Sequence, residues 1–327
     1  MQEDGHYYTV YYTSLAVGFS DDIAQQHALL SQMADEVGAL DAANLQSKQC
    51  LNIKEYNLNG AFEKVPFDDR ALFQYAHHAL VYNNSTNTTQ TTKYQREQTT
   101  LALANEDADS LTFGLLLHRL GDTYAHSKIF FESEPYTINT TDKCGSDGFN
   151  FSSSFGHLHH GTIPDLPIFR KGLFFSYLQN LYDVLHNKIL EQSSSKLKRG
   201  VSARSYSQVK NDFEFIFNQV HAKIAFAIGL TQFIALYNSK NIFIKQVRIL
   251  SETRLLAPLN AYAPEKSGEI RLDQFLTQHT KILGKLAITP EKIYESTRRM
   301  IPKEGDPYPE NTNGSASLER FLTTGRR

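Results

Sequence analysis

The stretch GLLLHRLGDTYAHSKI, residues 114–129, constrains this chain more than any other. Its apolar run has the composition of a buried helix, yet it carries His118, Asp122 and His126 at successive spacings of four. On an α-helix such residues advance by about 40° per step, so the three span a fan of about 80° on one side. A fold built around this segment must therefore bury a carboxylate between two imidazoles. A buried carboxylate needs compensating charge, and a divalent cation held by His and Asp is an economical source. The residues alone also allow a plainer arrangement, in which Asp122 pairs with one histidine or bonds to neighbouring backbone.

The rest of the chain reads as helical around this segment. A first helix is expected over residues 6–17, ending at Gly18, and a second opens with Ser20 as N-cap and two aspartates in its first turn. Residues 41–70 read as irregular, with an NLNG turn and Pro66, and residues 67–81 as a third helix. NNSTNTTQTT is a polar loop with nothing to bury. Helical pattern resumes near 94 and is strongest over 109–131. Residues 132–167, rich in Pro, Gly, Ser and Asn and carrying several histidines, read as a long loop, and such loops inside a compact domain are commonly functional. Amphipathic helices follow at about 168–192 and 206–238, with shorter ones at 271–284 and 290–300. Strand-like alternation is scarce and no internal repeat is evident. The expected fold is all-α, a multi-helix bundle with a buried His/Asp metal cluster. It forms a single helical domain over 1–300, with the metal-binding core at about 6–190 and a helical extension at about 200–300, followed by a loose tail at 301–327.

Other segments bring metal-binding side chains out of apolar surroundings. His6 opens the first helix, Asp35 stands near the end of the second, and His77 and His78 lie in the third. The long loop adds His157, His159 and His160, then Asp165 in a turn. Dinuclear and trinuclear sites inside helical bundles are assembled in this way, one or two ligands per element. His27 shares a four-residue spacing with Ser31 and Asp35 but sits among glutamines, which favours a structural role. His186, His221 and His279 have no acidic or histidine partner at helical spacing and read as structural or exposed.

Taken together, HYYTVYYTSLAVGFSDDIAQQHALLSQMAD, then LHRLGDTYAHS, then a GH and a PD in the following loop, resemble the helical zinc-dependent phospholipase C-like proteins. Their superfamily also holds single-strand-specific zinc nucleases. The H-x-x-G-D core is the most specific piece, and the resemblance covers roughly residues 6–190. It implies a helical fold with a cluster of one to three zinc ions, a bridging aspartate, and a metal-activated water that attacks phosphorus. By position it implies metal ligands at His6, Asp35, His118, Asp122, His126 and His157, with His160 and Asp165 as alternates; His77, from its place in the third helix, is a further alternate. Asp122 and Asp35 are the candidate catalytic carboxylates. The chain has no tryptophan, whereas the best-known members use an N-terminal one as a ligand, and it lacks their late His-x-x-x-Glu pair.

These readings point to a metal-dependent phosphodiester hydrolase. A net charge of −2 gives no general attraction for nucleic acid, and 21 Phe and 17 Tyr can line an apolar entrance, so phospholipid is the preferred substrate class. The basic run KLKRGVSARS reads as a solvated face. A non-catalytic helical toxin or interaction module with a structural metal is the alternative from another class. An HD-type phosphohydrolase would require an adjacent His-Asp pair, which does not occur. No nucleophile elbow and no phosphate-cradling glycine loop are present. The N-terminus has no apolar signal-peptide region and no stretch approaches a membrane span, so the chain reads as soluble, with its location left open among a mature form, a protein exported without a cleaved signal and a delivered effector. Cys50 and Cys144 permit one disulfide but no zinc ribbon.

Overall fold

The computed structural model describes residues 4–38, 40, 55–58, 62–82, 92–127, 137–138, 167–191, 197–198, 202–224 and 270–300. Among these, helices dominate. A π-helical turn at Asp4–Tyr8 leads into α1 (Thr9–Val17), and α2 covers Asp21–Glu36. Then come α3 (Phe67–His78), α4 (Thr92–Asn105), α5 (Leu111–Ala125), α6 (Lys171–Glu191) and α7 (Tyr206–Ile224). Three short helices close the described chain: α8 (Leu272–Gln278), α9 (Thr280–Leu283) and α10 (Pro290–Arg299). No helix of the described residues is long and apolar enough to cross a membrane.

The helix carrying His118 and Asp122 is the centre of the bundle. Every residue of α5 is buried, and α2, α3, α4, α6 and α10 all pack against it. A helix apolar on all sides can be stable only in such a position. Ser110 starts it by accepting a 3.0 Å hydrogen bond from the Phe113 N–H. Its close contact with α2 depends on Gly114, since a Cβ there would lie 2.3 Å from Leu30 Cβ. The first helix is likewise buried along its whole length and ends as expected at Gly18, whose φ of 108° needs glycine.

Three features depart from the sequence reading. Glu55–Leu58 and Phe62–Pro66, read as irregular, form an antiparallel pair, β1 and β2, with Asn59, Gly60 and Ala61 between them in sequence. Val81–Tyr82 and Thr137–Ile138 form a short parallel pair, β3 and β4. Finally, α5 stops at Ala125, so His126 is the first residue beyond the helix rather than part of it, although its N–H still bonds to the Asp122 carbonyl at 2.8 Å. The expected helices at 271–284 and 290–300 match α8 to α10 closely. His157, His159, His160, Asp165, Cys50, Cys144 and the 301–327 tail lie outside the described residues.

Replacing Gly114 by alanine should destabilise the protein by about 1–2 kcal/mol net, because overpacking against Leu30, at the upper end of about 1–3 kcal/mol, exceeds the roughly 1 kcal/mol gain in helix propensity. Thermal unfolding of Gly114→Ala beside the parent checks this. A melting temperature equal to or above the parent's would contradict the close α2–α5 contact.

Candidate metal centre

Four of the side chains that sequence reading singled out, His6, Asp35, His118 and Asp122, converge on one face of α5. Asp122, 1% exposed, is ringed by four imidazoles: His6, His78, His118 and His126. Its Oδ1 lies 3.0 Å from His6 Nε2. Its Oδ2 lies 3.1 Å from His78 Nδ1 and 3.2 Å from His118 Nε2. Asp35 approaches from α2, with Oδ1 at 3.7 Å from His118 Nε2 and 3.8 Å from His78 Nδ1, and Oδ2 at 3.6 Å from His6 Nε2. Donors bound to one tetrahedral ion at about 2.0–2.2 Å stand about 3.3–3.6 Å apart, which is the scale of these separations. Two groups among the described residues could hold a metal: His6, His118 and Asp122, and Asp35, His78 and His118. His118 is common to both.

Each ligand is placed by a local feature of the chain. His6 sits in the π-helical turn, a form of helix often found at functional sites. Its ring stacks on His118 with centroids 3.9 Å apart and lies against Gly121, where a Cβ would stand 2.9 Å from His6 Cε1. That contact explains why glycine precedes the aspartate in H-x-x-G-D. Tyr177 on α6 donates to the Gly5 carbonyl at 3.1 Å and holds the turn in place. The chain leaves α3 after His78 because Ala79 adopts a left-handed φ of 52°, which frees the His78 carbonyl to accept from His126 Nδ1–H. The far end of α5 is fixed by two arginines. Arg96 donates to the Thr123 carbonyl and, at 2.8 Å, to Ser127 Oγ, while Arg170 donates to the Ala125 and Ser127 carbonyls. Cations at a helix C-terminus also complement its dipole.

The outer hydrogen bonds fix the ring tautomers. A backbone carbonyl can only accept, so His118 Nδ1–H donates to the Ser31 carbonyl at 2.6 Å and His78 Nε2–H donates to the Leu40 carbonyl at 2.8 Å. Both rings then turn their remaining nitrogens inward, His118 Nε2 and His78 Nδ1, at a separation of 3.2 Å. Two lone pairs at that distance repel unless a cation or a proton lies with them. Metal-binding histidines are held in this way, with the outer N–H on a carbonyl.

Electrostatics follow the same geometry. Burial alone would lower His78, but the Asp122 hydrogen bond and charge, with Asp35, raise it to about 9. Burial would raise Asp122, yet His126, His118 and His6 hold it well below the usual carboxylate range. Asp35 is pushed up to about 6, chiefly by burial, with the His118 attraction opposing and the Asp122 charge adding. His6 is lowered, first by burial and then by His118.

Among the sequence candidates, His6, Asp35, His118 and Asp122 are brought together, and His126 stands at the edge with Nδ1 3.7 Å from Asp122 Oδ2, in neither donor group. His77, named as an alternate, faces away: its Nε2–H donates to Thr297 Oγ1 at 2.9 Å and its ring stacks on Phe73. Its neighbour His78 takes the place at the cluster. His27 is a satisfied core histidine, accepting from Ser14 and donating to the Ala108 carbonyl at 2.7 Å, and burial lowers it to about 4. His157, His160 and Asp165 lie outside the described residues.

Because a metal-free cluster keeps a proton on His78 at neutral pH, uptake of the first divalent ion should release about one proton, and affinity should rise about tenfold per pH unit up to near pH 9. Titration calorimetry in two buffers of different ionisation enthalpy measures this. Binding heats that do not depend on the buffer would contradict the assignment.

No characterised protein and no solved structure matches this chain in comparison. Residues 1–223 match a family of unknown function, DUF6765. That is 223 of 327 residues, and all six side chains of the cluster fall within it. The chain belongs to the DUF6765 family.

Proposed function

We propose that this protein is a metal-dependent phosphodiester hydrolase, with zinc the best-fitting ion. The observation that carries the reading is the 3.2 Å approach of His118 Nε2 and His78 Nδ1, two inward nitrogens on rings whose outer nitrogens donate to carbonyls. Imidazole and carboxylate donors without thiolates suit zinc or another borderline divalent ion. The likeness of H-x-x-G-D and its flanking segments to the zinc-dependent phospholipase C-like proteins supports the same chemistry.

When bound, the ion supplies a water acidified toward neutral pH and positive charge that steadies the phosphate under attack. The protein's own groups divide the remaining work. Asp122 turns Oδ1 toward His6 and Oδ2 toward His78 and His118, so its two oxygens serve two neighbouring positions. His118 and His78 each keep an outer N–H on a carbonyl, so their inner nitrogens are the ones turned toward a bound ion. Asp35 forms the rim, with its side chain 18% exposed while His6, His78, His118 and Asp122 are at most 1% exposed. An edge open to solvent favours catalysis over a purely structural site, which closes its ligand shell. Among phosphodiesters, phospholipid is preferred, since 21 Phe and 17 Tyr can line an apolar approach and the net charge of −2 offers no track for nucleic acid.

Asp122→Asn keeps the size of the side chain but removes the charge that offsets nearby cations. It should lose at least one metal equivalent and lower turnover about a hundredfold or more. Metal analysis of parent and variant checks this, together with hydrolysis of phosphatidylcholine vesicles and single-stranded DNA before and after chelation. A folded Asp122→Asn protein with the parent's metal content would overturn the bridging role. A parent that holds metal but cleaves neither substrate would favour the structural-metal alternative.

A further inference from the structure

The family match ends at residue 223, but the described chain beyond it returns to the metal-bearing helices. Ile270 pairs beside Asp35: its N–H donates to the Glu36 carbonyl at 3.2 Å and its carbonyl accepts from the Gly38 N–H at 3.0 Å. Helix α10 packs on both α3 and α5, and α9 packs on α2. Arg299 forms a 2.7 Å ion pair with Glu106, in the link that enters α5. Tyr294 lies against Phe73, which in turn stacks on His77.

The most specific of these contacts is His77 with Thr297. The Thr297 hydroxyl donates to the Ile293 carbonyl at 2.8 Å, so it must accept from His77 Nε2–H at 2.9 Å. Both residues are fully buried, and His77 Nδ1 has no hydrogen-bond partner among the described residues. Thr297 thus supplies the polar contact that sets the angle of this ring. His77 shares the last turn of α3 with His78, whose ring enters the cluster and whose carbonyl receives His126. A shift of His77 therefore moves two groups of the centre.

We propose that residues 270–300 are a brace that sets the metal affinity of the centre, with Thr297 a positioning residue for His78 acting through His77. The segment ties down the ends of α2 and α3 and the entrance to α5, which carry Asp35, His78 and His118. A centre held by the family core alone would keep its donors but lose the spacing among them. This inference rests on the metal-centre reading.

The test uses the full chain, Co2+ as the probe, and the variants Thr297→Val, Thr297→Ser and Arg299→Gln. Thr297→Val should raise the Co2+ dissociation constant about tenfold, the lower end of effects seen on removing partners outside the ligand shell. It should also alter the visible absorption of bound Co2+, with Thr297→Ser restoring both. Arg299→Gln is 61% exposed and leaves no buried gap, so it keeps the test open if Thr297→Val does not fold, and it should weaken Co2+ binding about twofold. Variants that melt earlier without Co2+ yet bind it with the parent's affinity and spectrum would overturn the brace while leaving the metal centre intact. A parent that takes up no Co2+ would overturn both readings together.

Discussion

The structure depends on a carboxylate placed where water cannot reach it. Asp122 is 1% exposed inside a helix buried on every side, and an isolated charge there would be untenable. Four imidazoles from three parts of the chain answer that charge. Much of the surrounding chain serves to bring them in. The π-helical turn carries His6 to one carboxylate oxygen, Gly121 lets the ring close, and Tyr177 holds the turn from α6. The left-handed Ala79 ends α3 where His78 can reach the other oxygen.

The outer hydrogen bonds decide what this cluster can do. A set of histidines can satisfy a buried aspartate simply by being protonated, and then it is an ion pair and no more. Here the outer nitrogens of His118 and His78 donate to the Ser31 and Leu40 carbonyls. The inner nitrogens face a shared point 3.2 Å apart, where His78 keeps a proton in the metal-free cluster and a cation can take that proton's place. With Asp35 at the solvent edge, the arrangement offers a cation a set of oriented donors on one side and an approach on the other.

The central part of the site was legible because helical periodicity is rigid. The spacing of four between His118 and Asp122 puts these two side chains on one face whatever packs around them, whereas His126, just past the helix end, is placed by the cap rather than by the helical period. The same spacing at His27, Ser31 and Asp35 does not make a ligand set: His27, read as structural, turns toward Ser14 and Ala108, and Ser31 contributes its carbonyl rather than its side chain. The choice between His77 and His78 was not legible, since adjacent residues differ by about 100° in direction and only the position of α3 fixes which one faces inward. Nor could spacing find Arg96, Arg170 or Thr297, whose roles arise from contacts distant in sequence. The helices at the C-terminal end were readable from their pattern, but their packing on α2, α3 and α5 was not.

The most direct measurement is anomalous diffraction at the zinc absorption edge, from crystals of the full chain grown with zinc. This account predicts a peak about 2.0–2.2 Å from His118 Nε2, with His78 Nδ1 or His6 Nε2 and an Asp122 oxygen completing its nearest neighbours. A map without a peak at His118, with His78 Nδ1 still in hydrogen-bond contact with Asp122, would show that the cluster is a protonated ion pair and would contradict the account.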